Sequence, residues 1–151
     1  GMVDPFVPAD FAVPLSLEIG GLHLEPLGPE HNERDHAAWM SNIDYIHTLP
    51  GFRPGEWEWP TEMTLERNLD DLERHARDFE ERVGFTYSVL DGDDVVGCAY
   101  IYPSEEPRID ADIRSWVIES HSASDVAVWE AISAWLDNAW PFNTRRYASR
   151  R

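Results

Sequence analysis

The stretch WVIESHSASDVAVWEAISAWL, Trp116 to Leu136, passes from a strand-like end through a short polar loop into an amphipathic helix. That succession is a common way to build an anion-binding corner. The first N–H groups of a helix have no intrahelical partner, so they present positive charge to whatever precedes them. Such corners usually contain glycine, yet this one has none, and Gly97 is the last glycine in the chain. His121, inside the loop, has the intrinsic pKa of a general base, although a loop histidine is more often just solvated. His31 and His36 are poorly spaced for one helix face, which favours solvated or structural roles over metal ligation. The single cysteine, Cys98, lies in the strand-like run VVGCAYIY and reads as a small buried hydrophobe, which excludes a Cys/His zinc or redox centre. GxSxG, P-loop, HExxH and Gly-rich dinucleotide signatures are all absent.

The elements that must position these residues follow from hydrophobic period and turn chemistry. VDPFVPADFAVP carries prolines at 5, 8 and 14, which leave it extended or loosely packed, so residues 1–21 read as an extended N-terminal arm ahead of a domain spanning 22–151. LHLEPL alternates and predicts a strand after the Gly20-Gly21 turn, and GPEHNERDHAAWMSN a short helix with Pro29 in its first turn. TLPGFRPGEWEWPTEMT predicts a long loop in which Trp57 and Trp59 either line a pocket or pack onto the core. Leu65, Leu69, Leu72, Ala76, Phe79 and Val83 recur at helical spacing, with Thr64 as N-cap, Gly84 as stop and a solvated charged opposite face.

FTYSVL, DGDD and VVGCAYIY predict a hairpin, ADIRSWVIE a further strand, and FNTRRYASRR one more short strand. Between these last two, the helix from Val126 to about Ala139 is expected to bury Trp129, Ile132, Leu136 and Ala139, with Ser122 or Ser124 as its cap.

Composition narrows the partners. The 29 acidic residues against 12 basic ones give a formal net charge of −17, and every basic residue is arginine. Such a field repels nucleic acid and anionic membranes and favours a cationic small molecule or peptide. No apolar run approaches the ~18 residues of a membrane span and no leader pattern is visible, so a cytoplasmic protein is the default expectation. With 42% hydrophobic and 12% aromatic residues, a chain of 151 fits one core.

At FTYSVLDGDDVVGCAYIYPS, ADIRSWVIES and VAVWEAISAWL, the order of elements resembles the GNAT superfamily of acyl-CoA-dependent N-acetyltransferases, over roughly Leu22 to Phe142. The resemblance implies a single α+β domain of α/β/α layering, with a mixed, mostly antiparallel sheet flanked by helices. It implies acetyl-CoA as cofactor and a small-molecule or peptide amine as substrate. The strand matching ADIRSWVIE would splay from its neighbour, and the backbone of Trp116, Val117, Ile118 and Glu119 would pair with pantetheine. Ser122, Ala123, Ser124, Asp125 and Val126 would surround the pyrophosphate. Asp112 matches an acidic position that serves as general base, the competing reading being an exposed ion pair with Arg114.

The chain departs from the family motif, which opens with Arg or Gln and continues with glycines. Depending on register, Ser120, Ala123 and Asp125 or Ala123, Val126 and Val128 stand there. A carboxylate at Asp125 competes for the amides a phosphate would use. The family's later helix, which carries a tyrosine acid, is missing, and Tyr147 lies in the terminal strand. The short C-terminal half and seven tryptophans point to a homodimer. Three readings stay open: an active N-acetyltransferase, a non-catalytic binding module on the same fold, and an unrelated α+β domain.

Overall fold

The computed structural model describes residues 4–151. Its strands are β1 (Leu17–Ile19), β2 (Leu22–Pro26), β3 (Phe85–Asp91), β4 (Asp94–Pro103), β5 (Ala111–Val117) and β6 (Arg145–Tyr147). Its helices are α1 (Asn32–Met40), α2 (Ile43–Ile46), α3 (Leu65–Glu80) and α4 (Asp125–Ala139), with 3-10 turns at Pro29–His31 and Glu119–Ser124. The six strands form one sheet in chain order. Every neighbouring pair is antiparallel except β5 and β6, which run parallel because α4 crosses over between them.

Helices cover both faces, so the sheet is buried on both sides and β3 and β4 read as near-continuous apolar runs. On one face Phe85, Tyr87, Ile101 and Val117 pack with Val128, Ile132 and Leu136 of α4. On the other, Cys98, Tyr100 and Trp116 pack with Trp39 of α1, Leu72 of α3 and Phe52 of the long loop. This is an α+β single domain with a mixed, mostly antiparallel sheet between helical layers, as the element order implies. Among the described residues no helix is long and apolar enough to cross a membrane.

Several local expectations are corrected. The described part of the arm has no helix, and it packs on the sheet: Val7 is buried, Phe6 stacks on Phe85 and Phe142, and Tyr87 donates its hydroxyl proton to the Pro14 carbonyl at 2.6 Å. Its last residues are β1, hairpinned to β2 through Gly20 at φ +57°. Thr64 caps α3 by accepting from the Arg67 N–H at 3.1 Å. Gly84 does not stop that helix; Arg82 takes the left-handed position, φ +63°, two residues after its end. Gly84 is required for a different reason, since a Cβ there would lie 2.1 Å from the Tyr102 ring. Val83, expected in the buried stripe, is exposed because the chain has already turned toward β3.

In α4 the buried face is Val128, Ile132, Trp135 and Leu136, with Trp140 following, while Ala139 is exposed. Two indoles remove far more surface from water than an alanine, so they set the rotation of the helix. Neither serine caps it. Ser124 occupies the N-cap position in a helical conformation, φ −93° and ψ −8°, and its hydroxyl makes no cap bond.

Candidate functional site

Two regions carry the chemistry: the corner before α4, and a pocket on the opposite face of the sheet. At the corner, β5 and β6 pair only from Ala111↔Arg145 to Ile113↔Tyr147, and no ladder continues beyond. β6 ends at Tyr147, so beyond Ile113 this edge of β5 has no strand partner among the described residues. The chain's own C-terminal residues fill the space. The Arg150 side chain is 2% exposed, and it donates to Asp125 Oδ2 at 2.8 Å, to the Pro50 carbonyl at 3.1 Å and to the Ala148 carbonyl at 3.2 Å. It also donates to the Ser115 carbonyl on β5, and Tyr147 and Ser115 join hydroxyls beside it. Burial pushes the Tyr147 phenol up to about 12.

The residues expected to meet the cofactor are distributed as follows. Trp116 and Val117 have fully buried side chains, and the Ile118 N–H is committed to the Val96 carbonyl on β4. The Glu119 N–H is taken by Asn42 Oδ1 at 2.9 Å. Ser122, Ala123 and Val126 are exposed and Ser124 is half-buried, in a loop wound into 3-10 turns whose carbonyls already accept from within it. Asp125 is buried, with Oδ2 on Arg150 and Oδ1 without a protein partner. Acetyl-CoA does not fit this arrangement. A buried carboxylate stands at the helix start where a pyrophosphate would bind, and Arg150 holds the β5 carbonyl on that edge. His121 is held between Ser120 Oγ at 3.0 Å and Asp91 Oδ2 at 2.9 Å, with Asp91 exposed.

The pocket is a cavity of about 540 Å³ between α3, β4, β5 and the 48–64 loop. Trp57, Trp59, Tyr100 and Tyr102 supply aromatic walls, Asp35, Glu58, Asp71 and Asp112 bring carboxylates, and Arg67, Arg74 and Arg114 bring guanidiniums, the first two each 3.9 Å from Asp71. Trp57 and Trp59 thus do both of the things expected of them, packing on Phe52 and lining the cavity. The Arg114 guanidinium lies 4.7 Å from the Trp57 ring centroid and donates to the Gly51 carbonyl, so one aromatic face already holds a cation.

Arg114 is therefore not the partner of Asp112. Both Asp112 oxygens accept from Arg146, its register neighbour on β6, each at 2.9 Å. The expected ion pair forms with a strand that sequence alone did not place alongside. Asp112 lines the pocket with its lone pairs engaged in that fork–fork contact.

Deeper in, burial raises the Asp35 carboxyl from 3.8 to about 6, while Asn68 donates to its Oδ2 at 3.0 Å. Burial also lowers the His75 imidazole to about 3 and lifts the Tyr102 phenol. Sequence reasoning missed His75, Asn68 and Asp71 because α3's polar face reads as a solvated charge run. The available signal is that Asn68, Asp71 and His75 recur at spacings of three and four, a polar stripe beside the apolar one. Arg150 had no signal in its local sequence.

No protein-family model matches this sequence, and no curated protein matches it. Solved structures do. RimL, a ribosomal L7/L12 alpha-N-protein acetyltransferase in complex with coenzyme A, is similar with a TM-score of 0.64 at 13% identity, over 81% of this chain and 66% of that one. MccE, a microcin C7 self-immunity acetyltransferase in complex with acetyl-CoA and AMP, gives 0.62 at 10% identity, over 83% and 66%. The ribosomal-protein-S5-alanine acetyltransferase from Vibrio fischeri gives 0.59 at 14%, over 82% and 68%. The chain spans about two thirds of the length of these structures. With the sheet order and the crossover through α4, these likenesses show that the fold of this chain is that of the GNAT N-acetyltransferases.

Proposed function

We propose that this protein binds an organic amine in the aromatic pocket of an acetyltransferase scaffold. The observation that carries the reading is the convergence of four aromatic rings and four carboxylates, Asp35, Glu58, Asp71 and Asp112, around one cavity whose three guanidiniums, Arg67, Arg74 and Arg114, are each placed against a carboxylate or a ring. Ring faces and carboxylates both attract an ammonium group, and a net charge of −17 adds long-range attraction for cations. Isothermal titration with benzylamine and with benzoate tests this. Saturable binding of benzylamine, weakened about tenfold in Trp59→Ala, is expected. Benzoate binding as tightly as benzylamine refutes it.

N-acetyl transfer to that amine is the second reading, favoured by the fold and by the pocket's position against β5. It requires residues 148–151 to leave the β5 edge, because Arg150 occupies the β5 carbonyl and the corner carboxylate. The measurement is release of free thiol from acetyl-CoA in the presence of benzylamine, with wild type and Arg150→Ala compared. Thiol release by neither protein leaves the binding module as the working description.

A further inference from the structure

We propose that His75 Nε2 is the acceptor that takes an N–H of the amine in this pocket, and so sets its selectivity for amines that still carry hydrogen. The inference rests on the amine-binding reading above and adds the residue that discriminates among amines.

The argument begins with a proton count. Tyr102 donates its hydroxyl to Asp78 Oδ2 at 2.8 Å, which spends the only proton on that oxygen. The same oxygen stands 2.9 Å from His75 Nδ1. Two lone pairs at that distance repel, so the contact is a hydrogen bond only if Nδ1 carries the ring proton and donates. Thr86 Oγ1, 3.0 Å from Nδ1, has a rotatable hydroxyl that serves either role, so the assignment rests on the Tyr102–Asp78 bond. Asp78 and Tyr102 set the tautomer, and Thr86 helps hold the ring. Nε2 is left as a lone pair.

Among the described residues no group bonds Nε2, and it is not one of their sealed, unpartnered buried atoms. His75 lines the cavity with Tyr100 and Tyr102, whose ring centroids lie 5.8 and 6.0 Å from its own. With its imidazole held down to about 3 by burial, the ring stays neutral at ordinary pH, and Nε2 keeps its acceptor character beside a cation. Aromatic faces attract any ammonium, quaternary ones included. A directed lone pair rewards only those with an N–H.

The test compares benzylamine with benzyltrimethylammonium, which keeps the ring and the charge but has no N–H, by isothermal titration against wild type and His75→Phe. Wild type is expected to prefer benzylamine by about tenfold, the worth of one hydrogen bond, and His75→Phe to bring the two within about twofold. Using the ratio in both proteins cancels the size difference between the ligands. A ratio unchanged in His75→Phe, or equal binding by wild type, overturns the role of His75 and leaves the amine pocket standing. Absence of saturable binding by either ligand to wild type overturns the pocket reading itself. Should His75→Phe fail to fold, nitrogen-15 NMR of the wild-type imidazole decides. A protonated Nδ1 and an unprotonated Nε2 that shifts on adding benzylamine support the proposal, and a protonated Nε2 refutes it.

Discussion

Removing the Arg150 guanidinium should destabilise the protein far more than a residue next to the chain's last position normally would. The side chain is 2% exposed and makes hydrogen bonds to Asp125, Pro50, Ala148 and Ser115. In Arg150→Ala those acceptors lose their donor, and Asp125, 9% exposed with Oδ1 already unpartnered, becomes an uncompensated buried carboxylate. Breaking a buried pair from one side typically costs about 3–5 kcal/mol. The α4 N-terminus offsets about 1 kcal/mol of this through its dipole. For a domain of this size the remainder corresponds to a fall in melting temperature of roughly 10 °C.

The double variant Arg150→Met/Asp125→Leu removes both charges and should recover at least half the loss, since apolar replacements of buried pairs are often neutral or better. Urea unfolding with a common m-value, checked by calorimetry, measures wild type, Arg150→Met, Asp125→Leu and their double variant as a closed cycle, with Arg150→Ala alongside. If Arg150→Ala loses less than about 1 kcal/mol, or the double variant is no better than the single, the idea that the pair is buried and coupled is wrong. The same variants probe the corner. Acetyl-CoA should leave the wild-type melting temperature unchanged, because its anion position and strand edge are already filled. A shift in Arg150→Ala/Asp125→Gly, against none in wild type, would identify the C-terminal segment as the obstacle; at 100 times its dissociation constant a ligand stabilises by about 2.7 kcal/mol.

Three further predictions concern stability. Asp35 binds its proton at about 6 in the fold against 3.8 unfolded, so the fold holds more protons between those values and this group's contribution falls as pH rises through the window. Asp35→Asn should therefore be more stable than wild type by up to about 3 kcal/mol at pH 7, a difference that vanishes below pH 4. His75 works the other way: with its folded value near 3, its contribution is complete above 6.5 and is lost as pH falls. His75→Phe should flatten the acid limb relative to wild type, and stability curves over pH 3–8 for the three proteins separate the effects. Gly97→Ala would put a Cβ 2.3 Å from the Trp116 carbonyl on the paired strand, and a loss of about 1–3 kcal/mol by urea unfolding is expected. A neutral result would mean that β4 and β5 yield more easily than their seven-residue ladder implies.

Much of the fold was legible because hydrophobic period and turn chemistry are local. FTYSVL-DGDD-VVGCAYIY had to be a hairpin, Thr64 a cap and Leu65 to Phe79 the apolar edge of a helix, whatever surrounded them. Where local signals competed, packing decided. Ser124 carries the right hydroxyl for a cap but is wound into a 3-10 turn, and α4 is rotated so that Trp135 rather than Ala139 is buried.

The site was less legible because pairing between charges has no sequence period. Asp112 could be matched to a general-base position and to Arg114 nearby, whereas its partner, Arg146, comes from a strand placed beside it only by the crossover. Arg150 reaches Asp125 across 25 positions and Pro50 across 100. The pocket draws on residues from Asp35 to Arg114, each unremarkable in its own segment.

The corner before α4 shows the division. Sequence alone determined that a strand, a loop without glycine and a helix follow one another, and that a carboxylate stands at the helix start. Only the tertiary structure decided what that carboxylate meets. Backbone conformation is fixed by residues within a turn or two, while the partner of a buried charge is whichever side chain the closed sheet brings within hydrogen-bonding distance, here Arg150.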